Sequence, residues 1–161
     1  YRRQRQMCIR DRINGDRSPI TARCDFFEHS GQYVISKKAE LWSADNEEFL
    51  YVLSIPHLTL ELYEQWRDHV QAEAMERIHV GPGHMASYIT PIFICDTCDE
   101  AARKALKKCR IYKSFHFSLH GWMDYHNVVA VFDNNLVTAA SQCKVDRRAG
   151  KFVILRINQT V

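Results

Sequence analysis

Residues 112–133, YKSFHFSLHGWMDYHNVVAVFD, constrain the fold most, because no other segment combines so strong a strand pattern with so many unusual polar residues. Apolar and polar side chains alternate from residue 114 to residue 120, which is the period of a strand with one apolar face. Gly121 interrupts this run, and residues 127–132 predict a second strand that ends in an Asp-Asn-Asn turn. We therefore expect these two strands to lie in the middle of one sheet.

Three further strands are predicted in the N-terminal part of the chain. They cover residues 21–28, 32–42 and 47–55, and residues 43–46 (SADN) have the composition of a turn between the last two. Short strands joined by such turns predict an antiparallel meander.

A first helix is predicted from its N-cap Thr59 to about Ile78, because a threonine hydroxyl can accept from the free N–H groups of a first turn. The sequence GPG at 81–83 ends the helix region. Apolar residues recur at helical spacing and predict one buried stripe, formed by Leu62, Tyr63, Trp66, Val70 and Ala74.

A fourth strand is predicted at residues 85–95, and a second helix follows it at residues 98–110. Pro91 is expected at an edge or a bulge of the sheet, because proline cannot donate a ladder hydrogen bond. Thr97 and Glu100 have the spacing of a capping box at the start of the helix. Its inward-facing residues are predicted to be Ala101, Ala102, Ala105, Leu106 and Cys109.

Strands are also predicted at residues 136–141 and 151–157, which gives the element order β-β-β-α-β-α-β-β-β-β. This order predicts an α+β fold in which two main helices pack on a mixed, largely antiparallel sheet. A chain of 161 residues is one domain by its length. The domain is expected to span residues 13–161.

The first twelve residues are expected to lie outside this domain, as an artefact or a disordered arm. The segment YRRQRQMCIRDR contains five Arg and one Asp, and it resembles a translated sequencing adapter. Without it the formal net charge changes from +3 to −1. The basic balance that would favour a polyanionic partner then disappears.

Cysteine usage and hydropathy predict a cytoplasmic protein that does not enter a membrane. Six Cys occur at irregular positions, which fits a reducing compartment better than a disulfide framework. No apolar run reaches the length of about 18 residues that a membrane span needs.

Cys95 and Cys98 form the one close cysteine pair. It lies where a strand is predicted to lead into a helix N-terminus, as redox pairs do. Asp96, Asp99 and Glu100 surround the pair and are expected to raise the thiol pKa values, which disfavours redox catalysis. The other cysteines are solitary, so neither a zinc site nor any other metal or cofactor site is predicted.

A polar face of the predicted sheet is the candidate ligand or partner face. His116 and His120 would be about 13 Å apart along a strand, too far to bind one metal ion. A kink at Gly121 would bring the later His and Asp residues closer, but no third catalytic partner is identifiable, so no catalytic residue is assigned. The predicted face consists of His116, His120, Trp122, Asp124 and His126.

A basic cluster on and after the second helix is the candidate for anion binding. The helix dipole also favours cations near a helix C-terminus, so these residues fit an ordinary solvated face as well. Tyr112 is the single neighbouring aromatic residue, so base stacking is not supported. The candidate residues are Lys104, Lys107, Lys108 and Lys113.

Several short motifs resemble an uncharacterised prokaryotic domain of unknown function. They are YVISKKA at 33–39, HMASYIT at 84–90, KSF at 113–115 and GWMD at 121–124, within a span of about 25–145. The family has no assigned activity, so the resemblance implies no functional residue. It implies only a kink at Gly121 and a packing anchor at Trp122.

The predicted order of strands and helix also resembles the core of restriction-endonuclease-like nucleases. Those nucleases hold a divalent ion with an acidic residue on the second strand and a Glu-x-Lys pair on the third. Glu40 fits the first position, but Glu47 and Glu48 are followed two residues later by Phe49 and Leu50. The resemblance therefore implies a shared fold without the activity.

Three functional hypotheses follow. A non-catalytic binding or assembly module, with a protein partner or a second copy of the chain, is favoured because the aromatic residues exceed what the polar residues can organise into a site. A degenerate nuclease-like nucleic-acid binder is the second. A small-molecule enzyme that uses the face from His116 to His126 is the third, and it requires a pocket that contains at least two of these histidines.

Overall fold

The computed structural model describes the backbone of residues 2–10, 19–33, 40–133 and 136–142, and the side chains of residues 19–30 and 44–132. In these parts of the chain eight strands form one mixed sheet, and two short strands, β4 (His57–Leu58) and β6 (Thr97–Cys98), form a second. The main sheet contains β1 (Arg2–Arg10), β2 (Ile20–Tyr33), β3 (Glu40–Ser54), β5 (His84–Cys95), β7 (Tyr112–Ser114), β8 (Trp122–Tyr125), β9 (Asn127–Asp133) and β10 (Leu136–Gln142). The strand predicted at residues 151–157 lies outside the described residues.

β5 is the central strand of the main sheet. β1, β2, β3 and β5 are neighbours in that order, while β8 pairs with the first half of β5 and β9 with its second half. β3, β8 and β9 run parallel to β5, whereas the β1–β2, β2–β3, β7–β8 and β9–β10 pairs are antiparallel. The predicted mixed sheet is therefore confirmed, and its parallel pairs lie at the centre.

The N-terminal segment pairs with the rest of the sheet in the described structure. β1 is antiparallel to β2 along its whole length, from Arg2 opposite Gly31 to Arg10 opposite Arg23. The domain boundary placed after residue 12, and the interpretation of the segment as an artefact, stay predictions.

The turn predicted at residues 43–46 is wrong, because β3 runs through it without a break. Ser43 pairs with Gly31 and Asn46 with Glu28 on the β2 side, and Asn46 pairs with Ala86 on the β5 side. Hydrogen bonding to two neighbouring strands satisfies the backbone here and overrides the local turn propensity. Glu40 and Glu47 therefore lie on one strand, so the second and third strands that the nuclease comparison needs are not separate strands in the described residues.

The first helix is confirmed. α1 (Leu60–Arg77) begins after the N-cap Thr59, whose Oγ1 accepts a hydrogen bond from the backbone N–H of Leu62 at 3.3 Å, and it ends at the C-cap Ile78. Its fully buried residues are Tyr63, Val70 and Ala74, and Leu62 and Trp66 pack against the core from partly buried positions.

The second helix is shorter than predicted, and its capping box is wrong. α2 (Glu100–Lys108) begins after the N-cap Asp99, because Thr97 and Cys98 belong to β6 and pair with β4. The hydroxyl of Thr97 lies 2.6 Å from Nδ1 of His57 and so does not cap the helix. Of the five residues predicted to face inward, Ala102 and Leu106 are buried and Ala101 is exposed.

Pro91 lies on the central strand, so its predicted edge position is wrong. β8 pairs with β5 as far as Ile89, and β9 begins its pairing at Ile92. Pro91 thus lies between the part of β5 that pairs with β8 and the part that pairs with β9, where the hydrogen-bond ladder on this edge of β5 is interrupted. The missing N–H of proline is tolerated at this interruption.

The alternating strand predicted at residues 114–120 is also wrong. β7 ends at Ser114, and His116–Ser118 form a 3₁₀ turn that leads back to β8. β7 is an edge strand, and Phe117 and Leu119 are exposed rather than packed on an apolar face. The second predicted strand of this stretch is confirmed as β9, which lies between β5 and β10.

Both helices pack against the same face of the main sheet. Their buried residues join one core cluster with alternate residues of β3, β5, β8 and β9, including Phe49, Leu53, Phe93, Met123 and Val129. The predicted α+β fold with two helices on a mixed sheet is therefore confirmed. In the described residues the opposite face of the sheet carries no helix, and neither α1 nor α2 has the length and hydropathy of a membrane span.

Candidate functional site

A groove lies on the sheet face opposite the helices, across β2, β3, β5 and β8. Side chains of β3 alternate between the two faces, so Phe49 enters the core while Glu48 points to the groove. Residues that pair across neighbouring strands share a face. One such row runs Phe26, Glu48, Tyr88, Asp124, and the next runs Glu28, Asn46, Ala86, Trp122.

The groove is a depression with a volume of about 730 Å³. Its floor includes Ala86, whose small side chain lies in register between those of Asn46 and Trp122. The apolar and aromatic part of the lining is formed by Phe26, Phe27, Met85, Ala86, Tyr88 and Trp122. This size and lining are typical of sites that bind a small organic group or an apolar side chain.

The polar part of the groove lining is acidic. It consists of Glu28, Asn46, Glu47 and Glu48, and no Lys or Arg of the described residues contributes to it. Oε1 of Glu48 accepts a hydrogen bond from the hydroxyl of Thr90 at 3.2 Å. A neutral hydroxyl leaves the charge of the carboxylate in place, so Glu48 presents negative charge between the Phe26 and Tyr88 side chains.

Glu47 connects the groove to a polar network in the core. Its Oε1 lies 2.8 Å from Nδ1 of His79, and its Oε2 accepts from the Ser87 hydroxyl at 3.2 Å. Ser87 Oγ also lies 2.7 Å from Nε2 of His84, and Nδ1 of His84 lies 2.6 Å from the carbonyl oxygen of His120. Ser87 is fully buried and His84 is 6% exposed, so this chain of contacts crosses the core.

Ser87 joins the two halves of this network. The His120 carbonyl can only accept, so Nδ1 of His84 donates to it. The Ser87 hydroxyl contacts Glu47 on one side and His84 on the other, so it links these two side chains.

A strained turn closes the β7–β8 hairpin beside the groove. His116, Phe117 and Ser118 have φ values of 45°, 54° and 68°, which are left-handed conformations that cost about 1–2 kcal/mol per non-glycine residue. Backbone hydrogen bonds hold the turn, from the Phe115 N–H to the Gly121 carbonyl at 3.0 Å and from the His120 N–H to the Phe115 carbonyl at 3.2 Å.

The turn displays apolar side chains to solvent. Phe117 is 100% exposed and Leu119 is 81% exposed, although Phe115 before them and Met123 after them are buried. The expected kink at Gly121 is present, with φ of +73°, and the chain enters the groove lining at Trp122 directly after it. Trp122 is half-buried in the groove wall rather than enclosed in the core.

The structure divides the five residues of the predicted ligand face among three places. The rings of His116 and His120 lie together on the turn, with centroids 4.6 Å apart. Nε2 of His126 lies 3.6 Å from Oδ2 of Asp124, and the His126 ring stacks on Tyr88 at 5.3 Å. Only Trp122 lines the groove. The assignment of these residues to a ligand or partner face stays a prediction.

The lysines predicted to bind anions are exposed. Lys104, Lys107 and Lys108 lie on α2, where Nζ of Lys104 is 3.9 Å from Oε1 of Glu100. Lys113 lies on β7, and its Nζ is 5.9 Å from the centroid of the Phe115 ring. Their role in anion binding stays a prediction.

The thiol pair has raised pKa values, as the sequence predicted, but its acidic neighbours are not the main cause. Burial raises the pKa of Cys95 to about 11, with smaller contributions from Cys98 and Asp96. Burial also raises the pKa of Cys98, against the lowering effect of Arg103. Such thiols are poor nucleophiles. In the part of the chain that is described, no three His, Cys, Asp or Glu residues are placed to hold a metal ion.

Sequence inspection missed most of the groove because its residues come from four separate strands. Phe26, Glu48 and Tyr88 are neighbours only through the pairing of β2, β3 and β5. The one available signal was a carboxylate on the face of a strand that is otherwise apolar, as at Glu48 in EEFLYVL.

One known family matches a segment that includes most of the described fold. A family model described as Domain of unknown function (DUF8052) matches residues 9–149. The chain belongs to the DUF8052 family. The match to DUF8052 includes the groove and the strained turn, and it confirms the resemblance to a domain of unknown function, while the prokaryotic origin stays a prediction. No curated protein and no solved structure matches the chain.

Proposed function

We propose that the chain is a non-catalytic binding module whose groove takes a ligand with an aromatic or apolar body and a cationic group. The observation that supports this proposal most directly is the cross-strand row in which Glu48 lies between Phe26 and Tyr88, in a groove of about 730 Å³. The cytoplasmic location and the prokaryotic origin stay predictions within this proposal.

The ligand class follows from the two kinds of lining. Aromatic faces attract cations through their quadrupole, by about 0.5–2 kcal/mol depending on desolvation. A carboxylate at the same place adds a charge-assisted hydrogen bond to an ammonium or guanidinium group. An apolar body would replace water on Phe26, Met85 and Trp122, which adds a hydrophobic contribution. An anionic ligand would be repelled by the same carboxylates.

The proposal is tested with three probes of one shape and different charge: 2-phenylethylammonium, 2-phenylethanol and 3-phenylpropionate. Isothermal titration of the whole chain should show that affinity decreases from the ammonium probe to the alcohol and from the alcohol to the carboxylate. The Glu48→Gln variant keeps an acceptor for Thr90 and removes the charge. This variant is expected to bind the ammonium probe about tenfold more weakly than the wild type and to bind the alcohol with unchanged affinity.

Ala86→Leu provides the steric control. The larger side chain occupies the groove floor without changing any charge, so all three probes should lose affinity together. Circular dichroism and thermal unfolding of both variants establish that they fold. Equal affinities for the three probes in the wild-type chain, or unchanged ammonium binding in both variants, would show that the groove is not the binding site.

A further inference from the structure

The strained turn and the groove have complementary surfaces. We name residues 115–121 the tip. The tip presents the apolar side chains of Phe117 and Leu119 on a convex turn, and the groove is a concave surface with the aromatic lining described above. Within one chain the tip does not fill the groove, because Phe117 remains 100% exposed. The two surfaces can therefore meet only between copies.

The charges of the tip and the groove are also complementary. His116 and His120 flank the apolar residues of the tip, and Lys113 lies on the strand that leads into it. The groove contributes the carboxylate of Glu48. An apolar body with an adjacent cationic group is the ligand class that the groove favours, and the tip with Lys113 beside it belongs to that class.

The backbone of the tip is strained. Three consecutive non-glycine residues in the left-handed region are costly, and such strain is retained where a function depends on the shape it produces. Here the shape turns Phe117 and Leu119 away from the core, although burying them would have stabilised the single chain. The strained conformation of the turn therefore keeps Phe117 and Leu119 exposed to solvent.

We propose that the groove of one copy of the chain binds the tip of a second copy, so that the protein forms a two-fold symmetric dimer. This inference rests on the proposed function of the groove and names its occupant. Trp122 follows Gly121 directly, so the tip and the groove adjoin at one end of the sheet. A two-fold axis between them forms both contacts at once, as an isologous interface requires.

Sedimentation velocity of the whole chain over a dilution series tests the dimer. The wild-type chain should dissociate reversibly with dilution, and Phe117→Ser should weaken the dimer at least tenfold, because truncating a central aromatic anchor has an effect of about this size. Phe132→Ser is the matched control, since Phe132 is also an exposed phenylalanine but belongs to neither the tip nor the groove. It should leave the dimer unchanged.

A mixing experiment tests which surfaces meet. Ala86→Leu blocks the groove and keeps the tip, whereas Phe117→Ser removes the tip and keeps the groove. Each variant alone has no complete tip–groove pair, but one copy of each restores one pair. Each variant should be monomeric at a concentration at which the equimolar mixture contains a heterodimer.

Photocrosslinking locates the contact independently. A benzoylphenylalanine at position 117, in a mixture of isotopically light and heavy chains, should give mixed-isotope crosslinks to peptides that contain Phe26, Met85 or Trp122. A chain that is monomeric at every concentration, or a dimer whose crosslinks lie elsewhere, would overturn the proposal. If the ammonium probe binds while the chain stays monomeric, the groove keeps its proposed function and only the second copy is rejected.

Discussion

Replacement of Gly121 by alanine is expected to destabilise the protein strongly. A Cβ at this position would lie 2.2 Å from the carbonyl oxygen of Met85, 2.6 Å from its carbonyl carbon and 2.8 Å from Nδ1 of His84. Two of these atoms are backbone atoms of the bulged start of β5, so they cannot move as a flexible side chain can. The φ of +73° adds a second penalty for any residue with a Cβ.

The magnitude follows from these two effects. The left-handed conformation costs about 1–2 kcal/mol for alanine. Forcing an atom into packed surroundings costs about 1–3 kcal/mol more. The free energy of unfolding should therefore fall by about 2–5 kcal/mol, which is a large part of the roughly 5–15 kcal/mol that is typical of a domain. The contact between His84 and the His120 carbonyl would be displaced as well.

Urea denaturation followed by circular dichroism measures this change, and Gly81→Ala is the matched control. A Cβ at Gly81 meets no atom within 4 Å, so that variant should differ from the wild type by less than about 0.5 kcal/mol. Gly121→Asn separates the two causes, because asparagine tolerates the left-handed region but still carries a Cβ. If Gly121→Ala is as stable as Gly81→Ala, the close approach of the turn to β5 is not a feature of the protein.

Three further predictions concern the buried network, the thiols and the basic helix. Ser87→Ala should reduce the free energy of unfolding by about 1–3 kcal/mol in urea denaturation, because it leaves Nε2 of the buried His84 without a partner and removes one hydrogen bond of Glu47, and an unchanged midpoint would contradict the network. The folded-state pKa of Cys95 is raised from 9.0 to about 11, so its contribution to stability is complete below pH 9 and is lost as the pH rises toward 11. Cys95→Ala should therefore flatten the decline of the urea midpoint between pH 9 and 10, and an equal slope would refute this assignment. If the basic helix binds anions, the chain should be retained on immobilised DNA at low salt, and retention should be lost on substitution by alanine of Lys104, Lys107 and Lys108.

The elements with strong local signals were predictable from the sequence. Thr59 accepts a hydrogen bond from the first turn of α1, and Val70 and Ala74 lie on its buried stripe, so cap and periodicity agree with the structure. β9 was equally clear, because residues 128–132 are apolar and are followed by residues that are common in turns. In both cases the local preference and the tertiary contacts favour the same conformation.

The failures occur where tertiary pairing overrides a local preference. Residues 43–46 have the composition of a turn, but β2 and β5 both hydrogen-bond to this part of β3 and keep it extended. Residues 115–119 alternate like a strand, yet β7 ends at Ser114 and the chain turns back through left-handed residues. No single-sequence pattern indicates three consecutive left-handed residues, because this conformation is uncommon for any residue other than glycine.

The register of β3 links the core to the groove. Glu47 and Glu48 are consecutive, so one carboxylate enters the buried network with Ser87 and the other faces the groove beside Tyr88. A slip of one residue would exchange these positions and also turn Phe49 out of the core. The hydrophobic pattern that stabilises the sheet therefore also fixes the groove charge. For this reason substitutions at Glu48 should change ligand binding with little effect on unfolding, whereas substitutions at Glu47 should affect both.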